Sequence, residues 1–485
     1  MDPDIPEIIH TKVGRAALKR LGRAHRLRKL FPGIYTTNLK DDPAAIVSRN
    51  LYPVLGKLFP GAVLSHRTAL EGKPSEHGTV FLTYGYTRTV KLPGFTVRLL
   101  RGRGALADDM PFVGGLFMSS LPRAFLENLQ PCRRRANDAK CLPRGVVEER
   151  LDRMAQTRGE GELNRLRDRA REAAVELAMT QEFERLDGII SALLGTRPRD
   201  GLQSAAARAR ALGLPYDQNR LPLFDALFAE LRGADLPLIK ALPDSGRSVA
   251  NRAFFESYFS NFIEGTEFDI VVAHDIVFAN LIPVTRPRDA HDIIGTFRIV
   301  SNTEEMTRVP GMPSEFLALL KARHAVLLGS RPEAGPGEFK QEVNRAGQTT
   351  FVAPELVRGT LEKGMEYYQG LEPGPARAIF MLFLVSEVHP FADGNGRIAR
   401  VMMNAELAHA GLSRILVPIV LRDDYLQALR ALSRMSVPAS MVRVALHAQR
   451  FTASIDFSDY DSALAALQRC HAFAEPGTAR LLVTG

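Results

Sequence analysis

The stretch HPFADGNGRIARVMMN, residues 389–404, sets a histidine, an acid, small turn-forming residues and two arginines directly before an apolar run. Gly394, Asn395 and Gly396 are poor core fillers. Glycine lets successive backbone N–H groups converge on one point, and a loop that feeds a helix N-terminus adds partial positive charge there. Such a loop is a seat for an anion, phosphate above all. His389 can act as a general base near neutral pH. Asp393 is a hard oxygen ligand of the kind Mg2+ takes together with phosphate oxygens. Asn395 can donate to a phosphate oxygen, and Arg397 and Arg400 bring guanidinium forks suited to a polyphosphate. Base, metal ligand, anion nest and two arginines together describe phosphoryl or nucleotidyl transfer from a nucleoside triphosphate.

These side chains need two helices to hold them. ARAIFMLFLVSEV, residues 376–388, is apolar nearly all round and predicts a buried helix. IARVMMNAELAHAG, residues 398–411, predicts the helix that follows, with Gly411 as its C-cap. Upstream, EFKQEVNRAGQTTFVAP, residues 338–354, predicts a hairpin turning at Arg345-Ala346-Gly347.

HPFADGNGR resembles the Fic signature HxFx(D/E)GN(G/K)R at every fixed position, and Arg400 matches its RxxR extension. The resemblance spreads over roughly residues 245–450, and GEFKQEV is similar to the edge of the family's target-docking flap, with Lys340 where arginine is more usual. It implies a helical Fic fold and transfer of AMP from ATP, with Mg2+, to a Ser, Thr or Tyr hydroxyl of a target protein. His389 would remove the hydroxyl proton. Gly394, Asn395, Gly396, Arg397 and Arg400 would hold the nucleotide, and Asp393 the metal. Gly396 points away from the branch with lysine there, hence to AMP transfer. Transfer of phosphate or of another nucleotide remains the neighbouring option.

A second motif opposes the first. In SNFIEGTEF, residues 260–268, Ser260, Glu264 and Gly265 resemble the family's inhibitory pattern (S/T)xxxE(G/N). Ser260 and Glu264 are four apart, hence on one face of a helix spanning about 250–266. The resemblance implies that Glu264 pairs with Arg397, takes it from the γ-phosphate and restrains the enzyme in cis. The same glutamate could position a water that removes AMP from a modified target. Phe254, Phe255, Tyr258, Phe259 and Phe262 read as core around that helix, and Tyr425 as either core or a contact to the base.

Residues 11–29 hold eight lysines and arginines and no acid. Helical apolar spacing over Val13–Leu30, a Pro32-Gly33 turn and the strand-like Ile34–Thr37 outline a winged helix-turn-helix. With VLSHRTAL at 63–70 and a β-rich stretch over 78–103, this resembles AbiEi-type antitoxins and regulators, which implies DNA contacts from Arg20, Arg23, Arg26, Arg28 and Lys29. The segment 62–71 is strand-like, and 146–195 strongly helical with an interruption at 158–162.

The expected fold class is mainly α. A helical Fic domain with a short β-hairpin flap covers 245–473, preceded by the winged helix (1–45), an α/β and helical region (46–195) and a helical linker (196–244). A length of 485 residues asks for two or three domains, and 45% hydrophobic residues let each bury a core. The net charge of +9 favours a polyanionic partner. Three cysteines, Cys132, Cys141 and Cys470, with no CxxC pair, read as free thiols and argue against a zinc site. No apolar run reaches a membrane span and the N-terminus is unlike a secretory signal, so a cytoplasmic protein is expected. Expected partners are the target protein, DNA and a second copy of the chain. The competing function is a DNA-binding regulator whose Fic core is latent and senses ATP.

Overall fold

The computed structural model describes residues 7–10, 27–132, 139–197, 201–243 and 246–483. The chain divides into two compact units, Met1–Gly213 and Leu214–Gly485. Among the described residues no helix is long and apolar enough to cross a membrane.

In the first unit β1 (Ile8–His10), β2 (Arg28–Phe31) and β3 (Ile34–Thr36) form an antiparallel sheet in the order β1-β3-β2. The helices expected of a winged helix-turn-helix would fall at 11–26, outside the described residues, as do Arg20, Arg23 and Arg26. Arg28 to Leu30 were expected to end a helix and instead lie on a strand. Leu30 is buried beside an exposed Lys29, a two-residue period, and Gly33 at φ 84 turns the chain straight back. Arg28 donates to the backbone carbonyls of Asn38 and Asp41.

A second, six-stranded sheet runs in the order β6-β7-β5-β4-β9-β8. It comprises β4 (Val63–Leu64), β5 (Thr79–Tyr84), β6 (Arg88–Leu92), β7 (Phe95–Arg101), β8 (Met110–Phe112) and β9 (Leu116–Met118). The β-rich reading of 78–103 holds. That of 62–71 holds only for Val63–Leu64, because His66–Glu71 is helical. Arg67 and Glu71, one turn apart and 2.7 Å from each other, favour that helix. The region 146–195 forms three helices, Arg144–Arg158, Glu160–Leu177 and Thr180–Leu193, and the first two are separated by Gly159 alone.

The second unit is helical. Its middle is an antiparallel pair, α1 (Pro375–Val388) and α2 (Asn395–His409), joined by residues 389–394. Both are buried over most of their surface, as the apolar sequence of α1 predicts. Around them pack the helices Gly246–Ile263, Pro287–Val300, Pro313–Leu327 and Arg422–Met435. Leu221–Gly233, within the stretch expected as a linker, is a core helix here. Phe224 is fully buried with its ring centroid 6.1 Å from Phe380 and 6.3 Å from Phe383. Phe254, Phe255, Tyr258, Phe259 and Phe262 are core, as expected.

The hairpin before the motif is shorter than its sequence suggests. β10 (Arg345–Ala346) pairs with β11 (Thr349–Thr350) around Gly347 at φ 57, and residues 338–344 form no strand. That segment satisfies its backbone against the loop instead: Lys340 N–H donates to the Pro390 carbonyl at 2.9 Å.

Candidate active site

The loop 389–394 begins with His389 as the C-cap of α1, in the left-handed region at φ 54, and ends with Gly394 at φ 76 as the N-cap of α2. The left-handed cap turns the imidazole out of the helix. Its ring lies on Phe351, just after the hairpin, at 3.8 Å and 11°. His389 Nδ1 faces the Ser386 carbonyl at 3.3 Å. A carbonyl only accepts, so Nδ1 carries the proton and Nε2 keeps a free lone pair. Burial pulls the imidazole pKa down to about 4, so the ring is neutral at pH 7.

Beside His389 opens a cavity of about 550 Å3, lined among others by Glu264, Phe351, Phe383, Gly396, Arg400 and Tyr425. That is a volume typical of small-molecule sites. Tyr425 is buried, as its core reading expects, and it also lines the cavity.

Asn395 corrects its expected role. Its side chain is almost fully buried and closes the loop on itself: Nδ2 donates to the Phe391 carbonyl at 2.8 Å and Oδ1 accepts from Phe391 N–H at 2.9 Å. One Nδ2 N–H and the Oδ1 of Asn395 are thus taken up inside the loop. As first-turn residues, Asn395, Gly396 and Arg397 have amides with no intrahelical acceptor.

The two arginines divide their work differently from the expected scheme. Arg397 does not meet Glu264. It lies 2.5 Å from Asp292 Oδ2, 3.4 Å from Asp393 Oδ1 and 3.3 Å from Asn261 Oδ1. Arg331 completes a ring of alternating charge, with Nη1 3.0 Å from Asp292 and 2.8 Å from Asp393. It is Arg400 that binds Glu264, at 2.8 Å, while Ser260 accepts from the same guanidinium through Oγ at 3.0 Å and through its carbonyl at 2.8 Å. Ser260 lies on the helix Gly246–Ile263. Glu264 lies in the turn just past its end, before Gly265 at φ 88, and not inside a longer helix. The Glu264 carboxylate rests on the start of α2: a methyl group added at Gly396 would lie 2.1 Å from Oε1. A negative charge at the end of one helix is thus placed at the start of another, where the dipole favours it.

Asp393 is half-exposed. Burial works to raise its pKa, but Arg397, the Gly394 N–H and Arg331 together hold the carboxyl below its usual value. A single ionised carboxylate beside a phosphate seat fits Mg2+, which takes one or two carboxylates plus phosphate oxygens. Among the described residues no group of three or more His, Cys, Asp or Glu could hold a metal without such a ligand.

The sequence did not point to several further residues. His324 donates from Nε2 to the Asp393 carbonyl at 3.0 Å. Asn344 Nδ2 donates to the Phe391 carbonyl at 2.8 Å, and Asn344 Oδ1 accepts from Lys340 Nζ at 2.6 Å. Burial lowers the Lys340 ammonium pKa to about 8. Arg220 spans from Glu387 to the carbonyl of Thr350 on β11. His324, Asn344 and Arg220 lie far from the motif in sequence and in no pattern that names them, whereas Lys340 is the flap residue that the sequence already marks.

Comparison with known proteins bears on the same region. A family model described as Fic/DOC family matches residues 315–407. A Fido domain-containing protein of Dictyostelium discoideum is 35% identical over 104 residues, 20% of this chain and 72% of that protein. A protein adenylyltransferase fic-1 of Caenorhabditis briggsae is 31% identical over 111 residues, 22% of either chain. A protein adenylyltransferase Fic of Nematostella vectensis is 27% identical over 247 residues, 47% of this chain and 54% of its own length. This chain thus spans about half or less of either adenylyltransferase.

Proposed function

Because the chain belongs to the Fic/DOC family, we propose that it is a nucleotidyltransferase that moves AMP from ATP to a hydroxyl side chain of a target protein, restrained by Glu264 in cis. The observation that carries this reading is the juxtaposition, around one cavity, of a neutral His389 with a free Nε2 lone pair, the open amides of α2, and Arg400.

The reaction follows from those groups. The target hydroxyl gives its proton to His389 Nε2 as its oxygen attacks the α-phosphorus. The bond from that phosphorus to the oxygen bridging to the β-phosphate breaks, and pyrophosphate leaves with the electron pair. The amides of Asn395, Gly396 and Arg397 hold phosphate oxygens, and Arg400, once free of Glu264, stabilises charge on the leaving group. Mg2+, held by Asp393 together with phosphate oxygens, would supply further neutralisation of that charge. Arg397 acts through Asp393 and Asp292, keeping the carboxylate ionised and in place.

The hairpin supports a docking role for a target backbone: β11 lies along the cavity mouth and Arg220 anchors one of its carbonyls. Removal of AMP would use the same Glu264 with a water. For the N-terminal unit we infer DNA binding from the basic run 11–29. Its test is salt-sensitive retardation of promoter DNA by the full chain, lost on joint substitution of Arg20, Arg23 and Arg26 by alanine.

The deciding experiment is intact mass after incubation of Glu264→Gly with ATP and Mg2+, beside the same variant carrying His389→Ala. A gain of one AMP that depends on His389 is expected. A gain of one phosphate, or a gain independent of His389, would overturn the reading.

A further inference from the structure

His324 lies on the helix Pro313–Leu327, fully buried, 65 residues before the motif. Both ring nitrogens are in use. Nε2 lies 3.0 Å from the carbonyl oxygen of Asp393, and Nδ1 lies 3.0 Å from the backbone N of Gly337. A carbonyl oxygen cannot donate and a backbone N–H cannot accept. Nε2 must therefore carry the proton and Nδ1 the lone pair, so the contacts fix one neutral tautomer. The ring face is occupied as well: Phe391 stacks on it at 3.6 Å and 3°.

The bond falls where the loop is tightest. Gly394 follows Asp393 at φ 76, and a side chain there would lie 3.2 Å from Leu327 and Leu328 and 3.4 Å from His324 Nε2. Asn395 and Asn344 both secure the Phe391 carbonyl. The Asp393 carbonyl, one peptide from the start of α2, has His324 as its side-chain donor. Fixing that carbonyl inward fixes the plane of the Asp393–Gly394 peptide, and with it the direction in which α2 launches its first amides. Through Gly337 the same ring ties this point to the segment that leads into the hairpin.

We propose that His324 is a positioning residue for phosphate binding: its Nε2–H holds the Asp393 carbonyl so that the amides of Asn395, Gly396 and Arg397 converge on the nucleotide. The proposal rests on the nucleotide-transfer reading above. It makes His324 part of the substrate site without contact to the substrate.

Two substitutions separate positioning from packing. His324→Phe keeps the stacked ring and loses both hydrogen bonds. His324→Gln loses the ring and can place an amide N–H near the position of Nε2. Calorimetric titration with ATP methylene-bridged between its α- and β-phosphates, in Mg2+, should show binding about tenfold weaker for His324→Phe and within about threefold of wild type for His324→Gln. In steady state the loss should fall on KM for ATP, with kcat changed less, because the amides grip phosphate before and during reaction. Nitrogen NMR of the histidine-labelled full chain at pH 7 should show Nε2 protonated and Nδ1 bare. An Nδ1–H tautomer would overturn the proposal. So would wild-type affinity in His324→Phe, or equal losses in both variants, which would mean packing alone. If the wild-type chain binds no nucleotide, the transfer reading fails. The tautomer, with faster hydrogen exchange of the Gly396 amide in His324→Phe, then decides the positioning role by itself.

Discussion

Replacing Glu264 by glutamine removes one charge and almost no volume, which isolates the electrostatic part of the restraint on Arg400. Glu264 Oε1 and Arg400 Nη2 are 2.8 Å apart, with Arg400 buried and the Glu264 side chain 34% exposed. At an effective dielectric constant near 20, unit charges about 4 Å apart attract by about 4 kcal/mol. Partial exposure of Glu264 roughly halves that, to about 2 kcal/mol. Glutamine keeps a hydrogen bond, so the net release is on the order of 1 to 2 kcal/mol, or about fivefold to thirtyfold in rate. Glu264→Gly should exceed this, because it also clears the space over Gly396. The assay is incorporation of α-labelled ATP into protein at saturating Mg2+. Gly396→Ala is the control: its methyl group would lie 2.1 Å from Oε1 and must displace the carboxylate, yet it occupies the phosphate seat itself. It should open the Glu264–Arg400 pair without raising the rate. Wild-type incorporation by both Glu264 variants would refute the brake, and activation by Gly396→Ala would refute the placement of phosphate on α2.

The remaining expectations concern the frame around the site. Asp292→Asn strips a buried carboxylate from Arg397 and Arg331, and urea denaturation should show a loss of about 3 kcal/mol, as for other broken buried pairs. Phe351→Ala uncovers the His389 ring and should move its pKa up from about 4 toward its ordinary value of about 6.5, so that activity falls off on the acid side at higher pH than in wild type; proton NMR of the ring reads the shift directly. His389 and His324 are both depressed to about 4 by burial, so the folded chain binds fewer protons than the unfolded one; the stability they carry is full above about 6.5 and is lost as pH falls toward 4, which a melting-temperature profile will show. Glu406 has the opposite sign. Its carboxyl, raised to about 7 by burial and accepting from Tyr368 O–H at 2.7 Å, costs stability as pH rises through 7, so Glu406→Gln should match wild type near pH 5 and melt higher at pH 8.

Much of the site was legible because its chemistry is local. One loop holds His389, Asp393, the glycines and both arginines, and the apolar run before it announces the buried helix. The pairing of the arginines was not legible. Arg397 and Arg400 are three apart on α2 and face adjacent directions, so which one meets Glu264 depends on the phase of that helix against Gly246–Ile263 and on where Asp292 sits. Asn395 carries the donors a phosphate would want, but one N–H of its buried amide goes to Phe391, a contact that follows from the curl of the loop. The hairpin was over-read because residues 338–344 find their partner in the motif loop rather than in a neighbouring strand. The core helix Leu221–Gly233 was hidden by the Pro- and Gly-rich stretches on either side of it. Arg28–Leu30 looked helical because apolar spacing over three residues cannot separate a strand from the end of a helix.

Ser260 and Glu264 reach Arg400 across 140 and 136 residues of chain. On the proposed reading, the restraint on Arg400 is therefore a property of the finished fold, and of one element edge within it. Whatever grasps the end of Gly246–Ile263 and rotates it by a fraction of a turn takes the anion off α2 without touching a catalytic group. If Glu264 is the brake proposed above, control is exercised from the flank of the site, by a handle that sees neither ATP nor target.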